Sequence, residues 1–236
     1  MVEALAPLNI PLSIDTVKPA VMRESIRAGA DLINDIASFR APGALEAVCG
    51  SSAALSVMHM QGEPGTMQLA PSYRDVVAEV RSFLDERVRV LLDNGVSRQR
   101  IVVDPGFGFG KTLDHNLALL RHLEVFGESG FPVFVGVSRK TMLGAITGRE
   151  VSERVFAGAA AALLAVQRGA RIVRTHDVAA TRDVLRVWMA VEADTGTVGR
   201  FPEKERLREC YLHFIRCQSG GSPDRGGEPL RSVGEI

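Results

Sequence analysis

The sequence has no surplus of either charge, no long apolar run and few cysteines, and each shortage excludes something. Its 28 basic residues are matched by 28 acidic ones. A neutral chain without a basic stripe gives no support for binding nucleic acid or an anionic membrane, although a local anion site is compatible with it. No stretch approaches the roughly 20 apolar residues of a membrane-spanning helix. The region after Met1 lacks the basic start and apolar run of a signal peptide, so the expected location is the cytoplasm. Cys49, Cys210 and Cys217 are odd in number and lack metal-ligand spacing. They point to a reducing compartment and to packing, not to disulfides. No Ser-His-Asp arrangement is legible either, and the opening MVEALAPLNI resembles the end of an amphipathic helix more than the start of a domain.

What is present is enough for one large domain, 236 residues of which 46% are hydrophobic. Its centre is the stretch 101–112, IVVDPGFGFGKT. Three β-branched residues lead to Asp104, Pro105 stops the strand ladder, and Gly106, Gly108 and Gly110 alternate with Phe107 and Phe109. This reads as a strand that delivers a carboxylate to a pocket floor. The glycines let backbone approach a flat ligand, and both phenylalanines are expected to pack on it. Two other readings compete. One is an ordinary Gly-rich strand-to-helix loop. The other is a phosphate loop of the form G-x-x-x-x-G-K-[ST], which fails because its first glycine would be Pro105.

Around that centre the chain repeats one pattern of apolar run, polar residue, loop and helix. Strands are expected at 11–15, 31–35, 54–59, 101–104, 132–137 and 171–175, and helices at 18–29, 42–49, 73–95, 113–129, 151–169 and 178–193. In 73–95 one stripe holds Val76, Val77, Val80, Leu84, Val88, Leu91 and Leu92, with Gly95 as a stop. Alternating βα units imply a parallel sheet, open or closed. Every run carries polar groups at its carboxyl end: Asp15, Asn34 with Asp35, His59, Asp104, Ser138 to Lys140, and Arg174 with His176 and Asp177. A barrel brings all strand ends to one mouth, whereas an open sheet uses a single switch point. The expected fold is therefore α/β, a TIM-type (β/α)8 barrel with about six units present and an irregular tail. Residues 1–194 form the barrel domain in this reading. Residues 195–236 form a divergent, partly disordered tail ending in SGGSPDRGGEPLRSVGEI.

With these residues laid out, the chain resembles the dihydropteroate synthase family, the folate-pathway enzymes that sulfonamides target. The phrases that carry the resemblance are IDTVKP at 14–19, INDI at 33–36, VMHMQGEPGTMQ at 57–68, DPGFGFGKT at 104–112, VGVSRK at 135–140 and VRTHDV at 173–178. The resemblance implies a (β/α)8 barrel, Mg2+ as cofactor and frequent homodimers. It also implies a transferase reaction in which p-aminobenzoate displaces pyrophosphate from 6-hydroxymethyl-7,8-dihydropterin diphosphate, giving dihydropteroate.

By the same resemblance Asp15, Asn34 and Asp104 hold the pterin, with Met58, Phe109, Gly136 and Ser138 lining its site. Lys140 contacts the pterin beside the arylamine site, and Arg174 and His176 help hold the diphosphate; Lys140, Arg174 and His176 are the catalytic candidates. A carboxylate with two oxygens suits the guanidine-like edge of a pterin, and an Arg fork suits diphosphate. Blander readings stand beside these: Asp15 as the N-cap of the helix after it, Asn34 as a satisfied turn amide, Met58 as core packing and the cations as a solvated rim. His59 reads as a supporting or core histidine, His115 and His122 as surface residues, and Trp188 as core or subunit packing.

The family's first two βα loops, which supply an Asn near Mg2+ and a segment closing over the arylamine, find no counterpart in the sequence. Two fewer strands would expose sheet edges. The lost contacts would rival the whole stability of a domain, about 5–15 kcal/mol. The expectation is a marginal chain without turnover of its own. A non-catalytic pterin or sulfonamide-binding protein is the alternative from another class. A barrel for some other phosphate ligand is weakened because Asp15, Asn34 and Asp104 suit a donor-rich heterocycle better than an anion.

Overall fold

The computed structural model describes residues 2–192 except Asn9 and Pro64. The expected tail at 195–236 lies outside the described residues. A short helix α1 (Val2–Leu5) and a 3-10 turn (Ala6–Leu8) precede six βα units. These run β1 (Ser13–Asp15), α2 (Pro19–Arg27), β2 (Leu32–Asp35), α3 (Ala44–Val48), β3 (Ala54–Met58), α4 (Val76–Asp93), β4 (Ile101–Asp104), α5 (Leu113–Arg121) and α6 (Glu124–Gly127). They continue with β5 (Val133–Val135), α7 (Thr141–Thr147), α8 (Val155–Gln167), β6 (Ala170–Val173) and α9 (Val178–Glu192).

The strands are all parallel and follow sequence order, β1 to β6. Period-2 alternation divides their side chains between two faces. Ile33, Leu55, Val57, Ile101, Val103, Val133 and Val135 pack outward into the main core beneath the helices. Leu32, Ala54, Val102 and Phe134, with Ile172, form a second, smaller layer on the inner face. The sheet is strongly curled. In a flat six-stranded sheet the edge strands would stand about 24 Å apart. Instead, Asp15 at the end of β1 reaches Arg174 just past β6 at 2.6 Å. Six βα units of the expected barrel are thus present, and among the described residues β1 and β6 are its open edges.

Local chemistry explains several element ends. Asp75 caps α4 by accepting from the Val77 and Ala78 amides, each at 3.0 Å, and Pro19 opens α2 where its missing N–H costs nothing. Of the stripe read on α4, Val76, Val80, Leu84, Val88 and Leu91 are buried. The expected helix over 113–129 is corrected to two, broken at His122; the break lets Leu123 and Phe126 both enter the core. Apolar residues keep helical spacing through the break, so the pattern did not mark it. Helix α7 was not expected from its seven residues, and the start of 151–169 is a 3-10 turn (Val151–Glu153).

Candidate functional site

At the carboxyl ends of the strands the chain gathers its expected site residues around one mouth. β1 delivers Asp15, and β2 delivers Asn34, paired with it in register. Asn34 Nδ2 donates to Asp15 Oδ2 at 3.2 Å, and Arg174 Nη1 donates to the same oxygen at 2.6 Å. Asp15 is therefore committed across the mouth. The N-cap reading fails, since Lys18 occupies that position of α2. Asn34 is 3% exposed, and its Oδ1 has no hydrogen-bond partner. A satisfied turn amide is excluded, and a buried acceptor left open in this way calls for a donor. Ser56, next to Asn34 in register on β3, likewise has a buried hydroxyl without a partner.

Asp104 ends β4, 7% exposed, with Oδ1 accepting from the Gly106 amide at 2.7 Å. Burial pushes its carboxyl up to about 6. The Gly106 N–H and the Lys140, Lys111 and Arg174 charges oppose that rise. Met58, paired with Asp104 in register, is buried but belongs to neither apolar core.

The glycine loop then doubles back under the end of β3. A Cβ on Gly106 would collide with the His59 carbonyl, and one on Gly110 with that of Gln61; both residues have positive φ. Tyr73 Oη donates to the Gly110 carbonyl at 2.8 Å, and the Gln68 amide donates to that of Gly108. Asn116 Oδ1 accepts from the Gly108 amide at 2.7 Å. The expectation for the two phenylalanines is corrected. Phe107 is 1% exposed inside the main core, and Phe109 alone stays at the mouth, its ring centroid 4.2 Å from Lys140 Nζ.

Lys111, which completes the phosphate-loop lookalike, points inward. Its Nζ meets His59 Nδ1 at 2.9 Å, the Gly106 carbonyl at 2.9 Å and the Phe109 carbonyl at 3.0 Å. Burial pulls its amine down to about 7, against the pull of Asp104. His59 is buried as expected of a core histidine, and burial followed by the Lys111 charge lowers it to about 3. His115 is corrected from a plain surface residue: it forms the capping box of α5 with Thr112 and its ring meets Tyr73 edge-on at 4.8 Å.

Past β5, Gly136 faces Arg174, where a Cβ would stand 3.9 Å from the Arg174 Cβ. Ser138 is 7% exposed, with its Oγ 3.1 Å from both the amide and Nδ1 of His176. Lys140 is lowered by burial, with Asp104 opposing. Arg139 is drawn aside into a 2.6 Å ion pair with Asp177. The mouth therefore joins buried acceptors at Asn34 and Asp104 to a rim of Lys140, Arg174 and His176. A cavity of about 640 Å3 at the amino-terminal ends of β5 and β6, lined by Phe131, Arg168 and Arg171 among others, contains none of these groups.

Sequence reasoning did not foresee the Lys111, Asn116 and Tyr73 clamps. Only Lys111 left a signal, as a lone cation after three glycines. Trp188 is half-buried on α9, and among the described residues no helix is long and apolar enough to cross a membrane.

Residues 1–176 match the family model described as pterin binding enzyme. The dihydropteroate synthase of Haemophilus influenzae is 47% identical over 179 residues, 76% of this chain, which spans 65% of that relative's length. Among solved structures, the dihydropteroate synthase of Burkholderia cenocepacia complexed with 7,8-dihydropteroate is 58% identical, with a TM-score of 0.77 over 81% of this chain and 71% of that one. The Yersinia pestis enzyme with a sulfonamide drug is 41% identical, with a TM-score of 0.79 over 80% and 70%.

Proposed function

This chain belongs to the pterin binding enzyme family, and from that premise we propose that its mouth serves the dihydropteroate synthase reaction. The observation that carries the reading is the open acceptor set on the floor. The Asp104 carboxylate, whose Oδ1 takes the Gly106 amide, and Asn34 Oδ1, which has no protein partner, are buried acceptors suited to a donor-rich ligand. A pterin offers such an edge. Asp104 accepts from it in pairs, Asn34 accepts from another side, and Met58 lies against the ring. Phe109 and Lys140 stand where the ring meets the diphosphate, and Arg174 and His176 receive the diphosphate oxygens. Ser138 orients His176, Gly136 lies beside Arg174, and Asp15 holds Arg174 in place.

In the reaction the p-aminobenzoate nitrogen bonds to the pterin methylene as the bond from methylene to diphosphate oxygen breaks, and the amine loses a proton to solvent. Positioned cations stabilise charge gathering on the departing diphosphate, so no protein nucleophile is required. Among the described residues no three His, Cys, Asp or Glu side chains are grouped to hold a metal ion. Mg2+, the expected cofactor, needs only one or two protein carboxylates beside diphosphate oxygens, and no step is assigned to it.

Sulfonamides, as arylamine analogues, are the expected inhibitors, and the cytoplasm is the expected location. A homodimer is proposed through α8 and α9, where Phe156 is 87% and Val191 73% exposed.

The test is pyrophosphate release from the pterin diphosphate with p-aminobenzoate and Mg2+, with Asp104→Asn as control. Release that vanishes in the variant supports the reading. Pterin binding without release assigns the chain to non-catalytic pterin or sulfonamide binding, and a folded chain that ignores the pterin contradicts both.

A further inference from the structure

The glycine loop has no regular secondary structure to hold it, yet one site residue is tied to it and another lies within it. Asp104 is tied to it through the Gly106 amide, and Phe109 is part of it. Gly106 and Phe109 bound a turn in which the Phe109 amide donates to the Gly106 carbonyl at 3.2 Å. Lys111 grips both ends of that turn. Its Nζ donates to the Gly106 carbonyl at 2.9 Å and to the Phe109 carbonyl at 3.0 Å. The third contact, His59 Nδ1 at 2.9 Å, fastens the turn to the end of β3. The side chain is 3% exposed, so water does not compete for these partners.

We propose that Lys111 is a positioning residue of the pterin site, a buried amine whose contacts to Gly106, Phe109 and His59 fix the places of Asp104 and Phe109. It touches no substrate. The amine suits the task in either protonation state. As an ammonium it donates three bonds; as a neutral amine it donates to the two carbonyls and accepts from a His59 Nδ1–H. The inference rests on the pterin reading of the site. It predicts that what fails without Lys111 is the alignment of Asp104 and Phe109, and not the fold of the barrel.

Lys111→Met keeps the apolar stem and removes the amine, whereas Lys111→Ala leaves a space that a small alkylamine fills. Titration of each with 6-hydroxymethyl-7,8-dihydropterin diphosphate, beside a thermal melt, provides the test. Both variants are expected to bind the pterin about tenfold more weakly or worse. Added propylammonium is expected to restore binding in Lys111→Ala and to leave Lys111→Met unchanged. If Lys111→Met does not fold, Lys111→Ala prepared with propylammonium and then dialysed carries the test, with binding expected to fall on dialysis. Variant binding within about twofold of the unsubstituted chain, or weakened binding that the amine does not restore in Lys111→Ala, overturns the proposal. An unsubstituted chain that does not bind the pterin contradicts the reading of the site instead.

Discussion

Asp15 and Arg174, 159 positions apart, meet at 2.6 Å and join the two edge strands of the curled sheet at its mouth. Both side chains are substantially open to solvent, 40% and 59% exposed. An exposed ion pair contributes about 0–1 kcal/mol, so the contact is too weak to account for the curl. Arg174→Gln is therefore expected to lower the melting temperature by no more than a few degrees. Loss of pterin diphosphate affinity should be much larger, about tenfold or more. Paired melting and titration curves distinguish the two; a large loss of stability with affinity intact would make Arg174 structural.

Asp104 carries a pH signature. Its carboxyl in the folded chain is raised to about 6 from an ordinary 3.8, chiefly by burial. A protonated Asp104 loses acceptor capacity, so pterin affinity is expected to fall as pH drops through about 6, by about tenfold per unit below it. In Asp104→Asn that acid limb should be absent and affinity low throughout. Titrations between pH 5 and 8 check both outcomes.

The same shift sets a stability prediction of opposite sense. Because the folded state holds the Asp104 proton more tightly than the unfolded state, this group contributes stability below about 3.8 that is lost as pH rises through about 6. At neutral pH the ionised carboxylate costs the empty site on the order of 1–3 kcal/mol. Asp104→Asn, still able to accept from the Gly106 amide, is expected to melt higher than the unsubstituted chain at pH 7.5. A lower melt there would mean that the ionised carboxylate stabilises the mouth.

His59 works in the other direction. Its folded value, about 3, lies below the ordinary 6.5 because burial and the Lys111 charge disfavour the imidazolium. Its contribution is present above about 6.5 and is lost as pH falls toward 3, an acid destabilisation of several kcal/mol in order of magnitude. Chemical denaturation between pH 4 and 8 should show a shallower acid slope in His59→Gln.

Gly106→Ala tests the threading of the loop. A Cβ there meets the His59 carbonyl, and φ is +70°. The expected loss is about 2 kcal/mol or more, since backbone on both sides must move. A denaturation midpoint unchanged from that of the unsubstituted chain would contradict the packing described.

The six strands were legible because each is a short apolar run ending in a polar residue; residues 101–104 have the bounds that the pattern implied. The mouth was legible for the same reason, since a parallel barrel sends every such ending to one place. The contact between Asp15 and Arg174 was not, because pairing across an open sheet depends on how strongly it curls. Nor was the inward turn of Lys111, since a cation after three glycines looks alike in sequence whether it faces a phosphate or a ring of carbonyls. Phe107 and Phe109 show the limit most simply. They are two residues apart and alike in chemistry, but the turn between Gly106 and Phe109 sends one into the core and leaves the other at the rim.

The central claim is that the floor built by Asp104 and Asn34 recognises a pterin. Calorimetric titration of the chain with 6-hydroxymethyl-7,8-dihydropterin diphosphate at pH 7.5, beside folded Asp104→Asn and Asn34→Leu variants, tests it most directly. The account predicts saturable binding to the unsubstituted chain and loss of about tenfold or more in each variant. Equal binding by all three proteins, or none by any, would contradict it.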